Sequence, residues 1–315
     1  MLLQNIIDLF VADVCAGKRN ETPKTYKAKL KYFTLFVTPD IEVISLPIDI
    51  FEQFKNFLIN RTQKRWGAET ISEPLSLFTI KTVLTTTRHF LRWAHQNNYL
   101  PTNVTKSVTI PTPPHPHPKA ITIDDVDRLL KAAAGHGPKV IRYRNLSIIY
   151  MLRDTGGRIG GLVNLDIQDL ELERERAYVT EKGGKSRYLY MLPTTVLVLS
   201  EWLKHRHLLE PKDHRVFTSK YHRGLSRPGI YGLLRILAQK GKLQGRYNPH
   251  SFRHAFARDA LKNGGDLSRV SRLLGHSSVA VTADYYACWA DEELHEFHAS
   301  VSPARNLKFI SPSSD

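Results

Sequence analysis

Side chains that can act on a phosphate group are concentrated in four short segments of the sequence. In chain order these segments read DTGGRIGGLVNLDIQDL, EKGGKSR, NPHSFRHAFARDAL and SRLLGHSSVAVTADYYA. Arginine can donate paired hydrogen bonds to phosphate oxygens, lysine and histidine can transfer protons, and a tyrosine hydroxyl can act as a nucleophile. These side-chain types suit chemistry at a phosphodiester that needs neither a metal ion nor a cofactor.

The charge of the whole chain points to a partner that carries phosphates. Among 315 residues, 45 Lys and Arg oppose 30 Asp and Glu, which gives a net charge of +15 and an isoelectric point near 9.7. Such a balance is typical of proteins that bind nucleic acid. It also fits an ordinary basic protein kept in solution by its charge, so the motifs have to decide.

The sequence disfavours a membrane protein and a metal-binding protein. No run of about 18 apolar residues is present that would span a bilayer, and the N-terminal segment carries Asp8 and Asp13 within its apolar pattern, unlike a signal peptide. The two cysteines lie far apart, and Ser251 stands where the HExxH metalloprotease pattern would need a glutamate between His250 and His254. We expect an intracellular protein without a metal ion, a cofactor or a membrane partner.

A proline-rich segment, PTPPHPHP at 111–118, predicts the boundary between two domains, because proline fixes the backbone in an extended form and removes amide donors. The expected organisation is a helical DNA-binding domain at 1–110, a linker at 111–119, a catalytic domain at 120–300 and a C-terminal tail at 301–315.

The elements that must position the four segments follow from hydrophobic periodicity. Helical spacing over 2–15, 22–37, 48–62 and 76–97 predicts a helical bundle, with Phe78 among its apolar positions and a polar loop at 63–75 containing Arg65 and Trp66. Its basic residues fit either a DNA-facing surface or a solvated helix face; they are Lys24, Lys27, Lys29, Lys31, Lys81, Arg88 and Arg92.

The second half predicts a mostly helical α+β domain. Thr122 is expected to cap a helix, and helices are expected at 141–153, 194–207, 230–240, 251–263 and 267–274. Arg176–Thr180 and Ser186–Leu192 flank EKGGK and predict two antiparallel strands of a hairpin.

The four segments resemble, in order, the motif blocks of the tyrosine recombinase and phage integrase family. The resemblance is close over about 120–290 and looser over the first domain, which includes NNYLPTNVT. Carried over to this chain, it implies six catalytic residues: Arg158, Lys182, His250, Arg253, His276 and Tyr285. Lys185 remains an alternative to Lys182, and Tyr286 an alternative to Tyr285.

The resemblance also implies roles for these residues. Two arginines would bind the nonbridging oxygens, Lys182 would protonate the leaving 5′-oxygen, and His250 would accept the proton of Tyr285 while His276 helps to hold the phosphate or the base. Four protomers on double-stranded DNA with paired recognition sites would exchange strands through a Holliday junction, in the cytoplasm and at the nucleoid of a prokaryote. Alternatives are a type IB-like topoisomerase and a DNA-binding protein that has lost catalysis.

Two further expectations concern the catalytic domain and its tail. The family usually has an acidic residue three positions after the first arginine, where this chain has Gly161, so Asp154 or Asp166 is considered as a substitute. A helix at 290–301 and the apolar Leu307, Phe309 and Ile310 predict a tail that docks either on its own domain or on a neighbouring protomer. With no further domain before residue 1, a simple recombinase of the Xer, transposon or small-element kind is expected.

Overall fold

A computed structural model of the chain describes residues 1–17, 21–63, 73–114, 120–181, 184–276, 278–286, 298–300 and 302. The chain divides into two compact units, Met1–Pro114 and His115–Asp315. Among the described residues, no helix is both long enough and apolar enough to cross a membrane. The predicted linker at 111–119 lies partly outside the described residues, and the apolar tail residues lie wholly outside them.

The described part of the first unit contains four α-helices, close to the bounds that periodicity predicts. They are α1 (Leu3–Val14), α2 (Glu21–Val37), α3 (Ile50–Asn60) and α4 (Leu77–Gln96). The expected polar loop begins and ends in a short antiparallel pair, β1 (Thr62–Gln63) with β2 (Glu73–Pro74). Arg65 and Trp66 lie outside the described residues.

Aromatic side chains form the core of this unit. Phe10, Phe33, Phe54 and Phe90 are fully buried and meet edge to face in pairs such as Phe33 with Phe54, whose ring centroids lie 5.1 Å apart. Burial of each such side chain contributes roughly 1.5–3 kcal/mol. Phe78, one of the apolar positions of the predicted helix, does not join this core: it is 62% exposed, because it lies in the first turn of α4, ahead of the turns that pack against the other helices.

The second unit combines eight helices with one small sheet among its described residues. The helices are α5 (Ile123–Ala134), α6 (Lys139–Thr155), α7 (Ile159–Asn164), α8 (Pro193–Arg206), α9 (Arg227–Lys240), α10 (Pro249–Lys262), α11 (Leu267–Leu274) and α12 (Val279–Tyr286). The sheet has the order β3 (Leu170–Glu171), β4 (Arg176–Thr180), β5 (Ser186–Tyr190), with both pairings antiparallel. The mostly helical α+β class and the predicted hairpin are confirmed, and the Thr122 side chain caps α5 by accepting from the Asp125 amide.

The core of the second unit fixes the helices that carry the motif residues. Trp202 is fully buried and donates its indole N–H to the Val216 carbonyl over 2.9 Å, and Phe252 of α10 is buried in the same cluster. Helix α6 ends at Gly156, whose φ is +56° and whose missing Cβ would lie 2.7 Å from Cδ1 of Phe256. Only glycine fits there, and the chain turns at this point toward Arg158.

Candidate active site

Arg158 is the N-cap residue of α7, at the turn that follows α6. One terminal nitrogen, Nη2, donates to the Gly275 carbonyl over 3.0 Å, and the other, Nη1, forms an ion pair with Glu181. Its side chain is 37% exposed, whereas that of Glu181 is 5% exposed. The guanidinium is therefore held from the protein side and is accessible to a ligand on the other side.

Arg253 lies in α10 and is only 3% exposed. Its Nη1 donates to the Gly156 carbonyl over 2.9 Å, and its Nη2 donates to the Leu274 carbonyl over 2.7 Å. A buried guanidinium is strongly destabilising unless it is hydrogen-bonded. These carbonyls, one at the end of α6 and one at the end of α11, meet that requirement and fix the position of the group.

The C-terminal end of α11 gathers three arginines. The Leu273 carbonyl accepts from Arg187, the next carbonyl accepts from Arg253, and the Gly275 carbonyl accepts from Arg158. The last carbonyls of a helix have no partner within it, and the negative end of the helix dipole favours cations. This helix terminus thus brings three guanidinium groups together.

Gly275 is required at this terminus. Its φ is +68°, and a Cβ there would lie 2.6 Å from Nε of Arg187 and 3.4 Å from Oε2 of Glu181. Any other residue would be strained and would push against the arginine and the carboxylate.

His276 follows directly and is oriented by a buried hydroxyl. Its Nδ1 lies 2.7 Å from Oγ1 of Thr282 in α12 and forms a hydrogen bond with it. Burial, followed by the positive charges of Arg253, Arg158 and Arg187, lowers the pKa of His276 to about 4, while the charge of Glu181 acts in the opposite direction. The imidazole is therefore neutral near pH 7, and its other nitrogen is available to a ligand or to solvent.

His250 lies in the first turn of α10, which the Asn248 side chain caps by accepting from the Ser251 amide. Its ring stacks on that of His254, with centroids 5.4 Å apart. The side chain is accessible, but the surrounding protein atoms partly desolvate the ring, which lowers the pKa of His250, and the charges of Arg253 and Arg158 lower it further. A neutral imidazole can accept a proton.

An open groove of about 710 Å³ lies beside these residues. Lys185 and Arg187 line it from the hairpin, Arg269 and Arg272 line it from α11, and His276 and the acidic Glu181 line it as well. A concave surface of this charge attracts a polyanion. The geometry therefore suits a phosphate backbone passing over the end of α11.

Comparison with known proteins agrees with this geometry. Residues 119–292 match the phage integrase family, and residues 3–110 match the phage integrase SAM-like domain. The chain belongs to the phage integrase family of tyrosine recombinases. Tyrosine recombinase XerC of Escherichia coli O127:H6 (strain E2348/69 / EPEC) is 32% identical over 231 residues, which cover 73% of this chain and 74% of XerC. The enzyme is thus a site-specific tyrosine recombinase, and the topoisomerase alternative is not favoured.

Solved structures show the same fold. XerA recombinase is 26% identical and covers 95% of this chain and 99% of its own, with a TM-score of 0.53. The integrase of the Tn1549 transposon in complex with circular intermediate DNA is 16% identical, with a TM-score of 0.70 and coverage of 94% and 99%. XerH bound to a palindromic difH substrate is 19% identical, with a TM-score of 0.66 and coverage of 88% and 79%.

Of the six residues that the recombinase motifs predict, the structure brings four together: Arg158, His250, Arg253 and His276. Tyr285 belongs to α12, which packs against α11, but its side chain and that of Tyr286 lie outside the described parts of the structure. Lys182 also lies outside the described residues. Its hairpin is described on either side, with the Glu181 amide donating to the Lys185 carbonyl over 2.8 Å.

The suggestion that Asp154 or Asp166 supports the first arginine of the recombinase is wrong. Asp154 instead accepts from the Leu192 amide over 2.7 Å, and Asp166 lies 3.6 Å from Arg215. Both aspartates therefore contact residues other than Arg158. Glu181 is the carboxylate that contacts Arg158. Sequence analysis missed it, although it is the one acid in the basic hairpin turn EKGGKSR.

Some of the basic residues that could face either DNA or solvent instead contact other residues of the first unit. Lys27 forms an ion pair with Asp8 at 2.7 Å. Arg88 packs over the ring of Phe51, 5.3 Å from its centroid, and donates to the Val108 carbonyl. These contacts favour a role for Arg88 in the packing of this unit over direct binding of DNA by the recombinase.

Proposed function

We propose that this recombinase cleaves each DNA strand with Tyr285 while Arg158 and Arg253 bind the scissile phosphate. The supporting observation is the end of α11, where successive carbonyls hold the two guanidinium groups next to His276. Two fixed, charged donors stabilise the negative charge that gathers on the nonbridging oxygens as the phosphorus becomes five-coordinate.

The chemical step is a transesterification. The Tyr285 oxygen forms a bond to phosphorus as the bond from phosphorus to the 5′-oxygen breaks, which leaves a 3′-phosphotyrosine and a 5′-hydroxyl. His250 accepts the tyrosine proton, and Lys182 at the hairpin tip donates a proton to the leaving oxygen. Because the number of phosphoester bonds is unchanged, a 5′-hydroxyl from another strand reverses the reaction without ATP.

The lowered pKa values support these roles for the histidines. A tyrosine hydroxyl ordinarily has a pKa near 10 and must lose its proton as it attacks. His250, whose pKa is lowered by desolvation and by Arg253, is unprotonated at neutral pH and can accept that proton. His276, with a pKa of about 4, acts as a neutral hydrogen-bonding group toward the phosphate.

The partner is double-stranded DNA with paired recognition sites, bound by four protomers that exchange strands through a Holliday junction. Support comes from relatives described as bound to a palindromic substrate and to circular intermediate DNA. We place this activity on cytoplasmic DNA at the nucleoid, in a mobile-element or chromosomal recombination system.

The experiment is a covalent-adduct assay on a nicked suicide substrate, run in EDTA and without nucleotide. The wild type should form a protein–DNA adduct, Tyr285→Phe should bind the same DNA and form none, and Tyr286→Phe is the matched control that should keep the adduct. An adduct of normal yield from Tyr285→Phe would show that the nucleophile is another residue. Loss of the wild-type adduct in chelator, with recovery on adding zinc or magnesium, would overturn the metal-free mechanism.

A further inference from the structure

Glu181 is a buried carboxylate with two arginine partners. It directly follows β4, is 6% exposed, and binds Arg158 through Oε2 and Arg187 through Oε1, the latter at 3.0 Å. Removing a carboxylate from water is unfavourable unless charged partners compensate. Glu181 is therefore a fixed anion directly behind the guanidinium that faces the phosphate.

The family position for such an acid has no side chain in this recombinase. Gly161 lies in α7, and a Cβ added there would lie 3.4 Å from Cβ of Val179 in β4. Glu181 comes two residues after Val179, and side chains two apart along an extended chain point to the same face. The residue that directly follows β4 thus supplies a carboxylate that α7 does not supply.

We infer that Glu181 is the positioning residue for Arg158, in place of an acidic side chain at 161, and that it ties this arginine to the hairpin that carries Lys182. The backbone of Glu181 supports the second half of this inference. Its amide donates to the Lys185 carbonyl over 2.8 Å, and its carbonyl accepts from the Gly184 amide over 3.3 Å. The same residue closes the hairpin turn and holds the arginine, so the arginine and the hairpin share one anchor.

This inference rests on the proposed function, in which Arg158 binds the scissile phosphate. An arginine side chain loses much rotamer freedom when it is fixed in one position. The Gly275 carbonyl holds Nη2 of Arg158 and Glu181 holds Nη1, so loss of the carboxylate leaves one anchor. The guanidinium can then rotate away from the position that the five-coordinate phosphate requires.

The test separates DNA binding from chemistry with Glu181→Gln, which keeps the size of the side chain and removes its charge. Single-turnover cleavage of the suicide substrate should slow by about 10- to 100-fold, the range typical when a group that orients a catalytic residue is lost. Affinity for a single half-site should stay the same or increase, because a negative charge has left the phosphate site. If Glu181 were needed only for folding, its substitution would lower both the cleavage rate and the affinity for DNA.

Two further variants keep the test decisive. Glu171→Gln is the matched control, because Glu171 pairs with Arg176 at 2.6 Å in the same sheet and does not line the groove; it should cleave like the wild type. The double variant, Glu181→Gln with Arg187→Gln, removes both members of the Glu181–Arg187 ion pair, which is more buried than the Glu181–Arg158 pair. It should regain thermal stability relative to Glu181→Gln alone and still cleave slowly, because Arg158 still lacks its carboxylate.

The inference is overturned if Glu181→Gln cleaves within about a factor of three of the wild type, or if the double variant recovers wild-type cleavage. The latter result would mean that Glu181 serves only to neutralise Arg187. Failure of the proposed function is distinguishable, because the wild type would then form no adduct at all or Tyr285→Phe would form one.

Discussion

Substituting Gly275 with alanine should damage both stability and cleavage, because this glycine shapes the end of α11. With φ at +68°, any L-residue is strained there, at a cost of about 1–2 kcal/mol. The added Cβ would also lie 2.6 Å from Nε and 2.8 Å from Cδ of Arg187. Relieving such overpacking typically costs a further 1–3 kcal/mol or so, and the sum is a destabilisation of about 2–5 kcal/mol.

Gly264 provides a matched control. Its φ is +83°, but no heavy atom lies within 4 Å of an added Cβ. Gly264→Ala should therefore show the backbone cost alone, about 1–2 kcal/mol, and should cleave DNA like the wild type. The difference between the two variants isolates the contact with Arg187.

The assay combines urea denaturation of the full chain with single-turnover cleavage of the suicide substrate. We expect Gly275→Ala to be less stable than Gly264→Ala and to cleave more slowly under conditions in which both are folded, because the carbonyl that holds Arg158 moves with residue 275. Equal stability and equal cleavage rates in the two variants would refute the argument that this turn positions the arginines.

Three other predictions follow from the charges of the chain and from its tail. His254 and His276 each have a pKa of about 4 in the folded protein and an ordinary value near 6.5 when unfolded, so the unfolded state takes up protons first as the pH falls. The contribution of these histidines to the free energy of unfolding should therefore be fully present above about pH 6.5 and decline toward pH 4. His276→Gln should reduce that decline in urea titrations. DNA affinity should fall steeply with salt because bound counterions are released, and filter binding should show weaker binding by residues 120–315 alone than by the full chain; equal affinities would show that the first unit adds nothing to DNA binding. Truncation after Ala304 should preserve binding to one half-site and abolish cooperative assembly on paired sites in gel-shift assays, whereas unchanged assembly and recombination would show that the tail is dispensable.

The sequence by itself determined the elements and most of the candidate residues. Hydrophobic spacing predicted most helices of both units, although not α7 or α12, and Thr122 and the glycine-rich EKGGK predicted a helix cap and a hairpin turn that the structure contains. These features depend on residues that are neighbours along the chain, which is why a single sequence is sufficient. The order of the four motif segments, a property of the sequence alone, was enough to predict the family.

Tertiary structure alone decided which groups support the catalytic side chains. Arg158 and the Gly275 carbonyl are 117 residues apart, and Arg187 and the Leu273 carbonyl are 86 residues apart, so no local pattern links them. Helical spacing also could not show that Phe78 is exposed or that Arg88 packs on Phe51, because each depends on what another helix presents. The carboxylate behind Arg158 comes from the hairpin turn after β4 and not from α7 for the same reason: charge pairing is set by distance in space, and the packing of the hairpin against the end of α11 sets that distance.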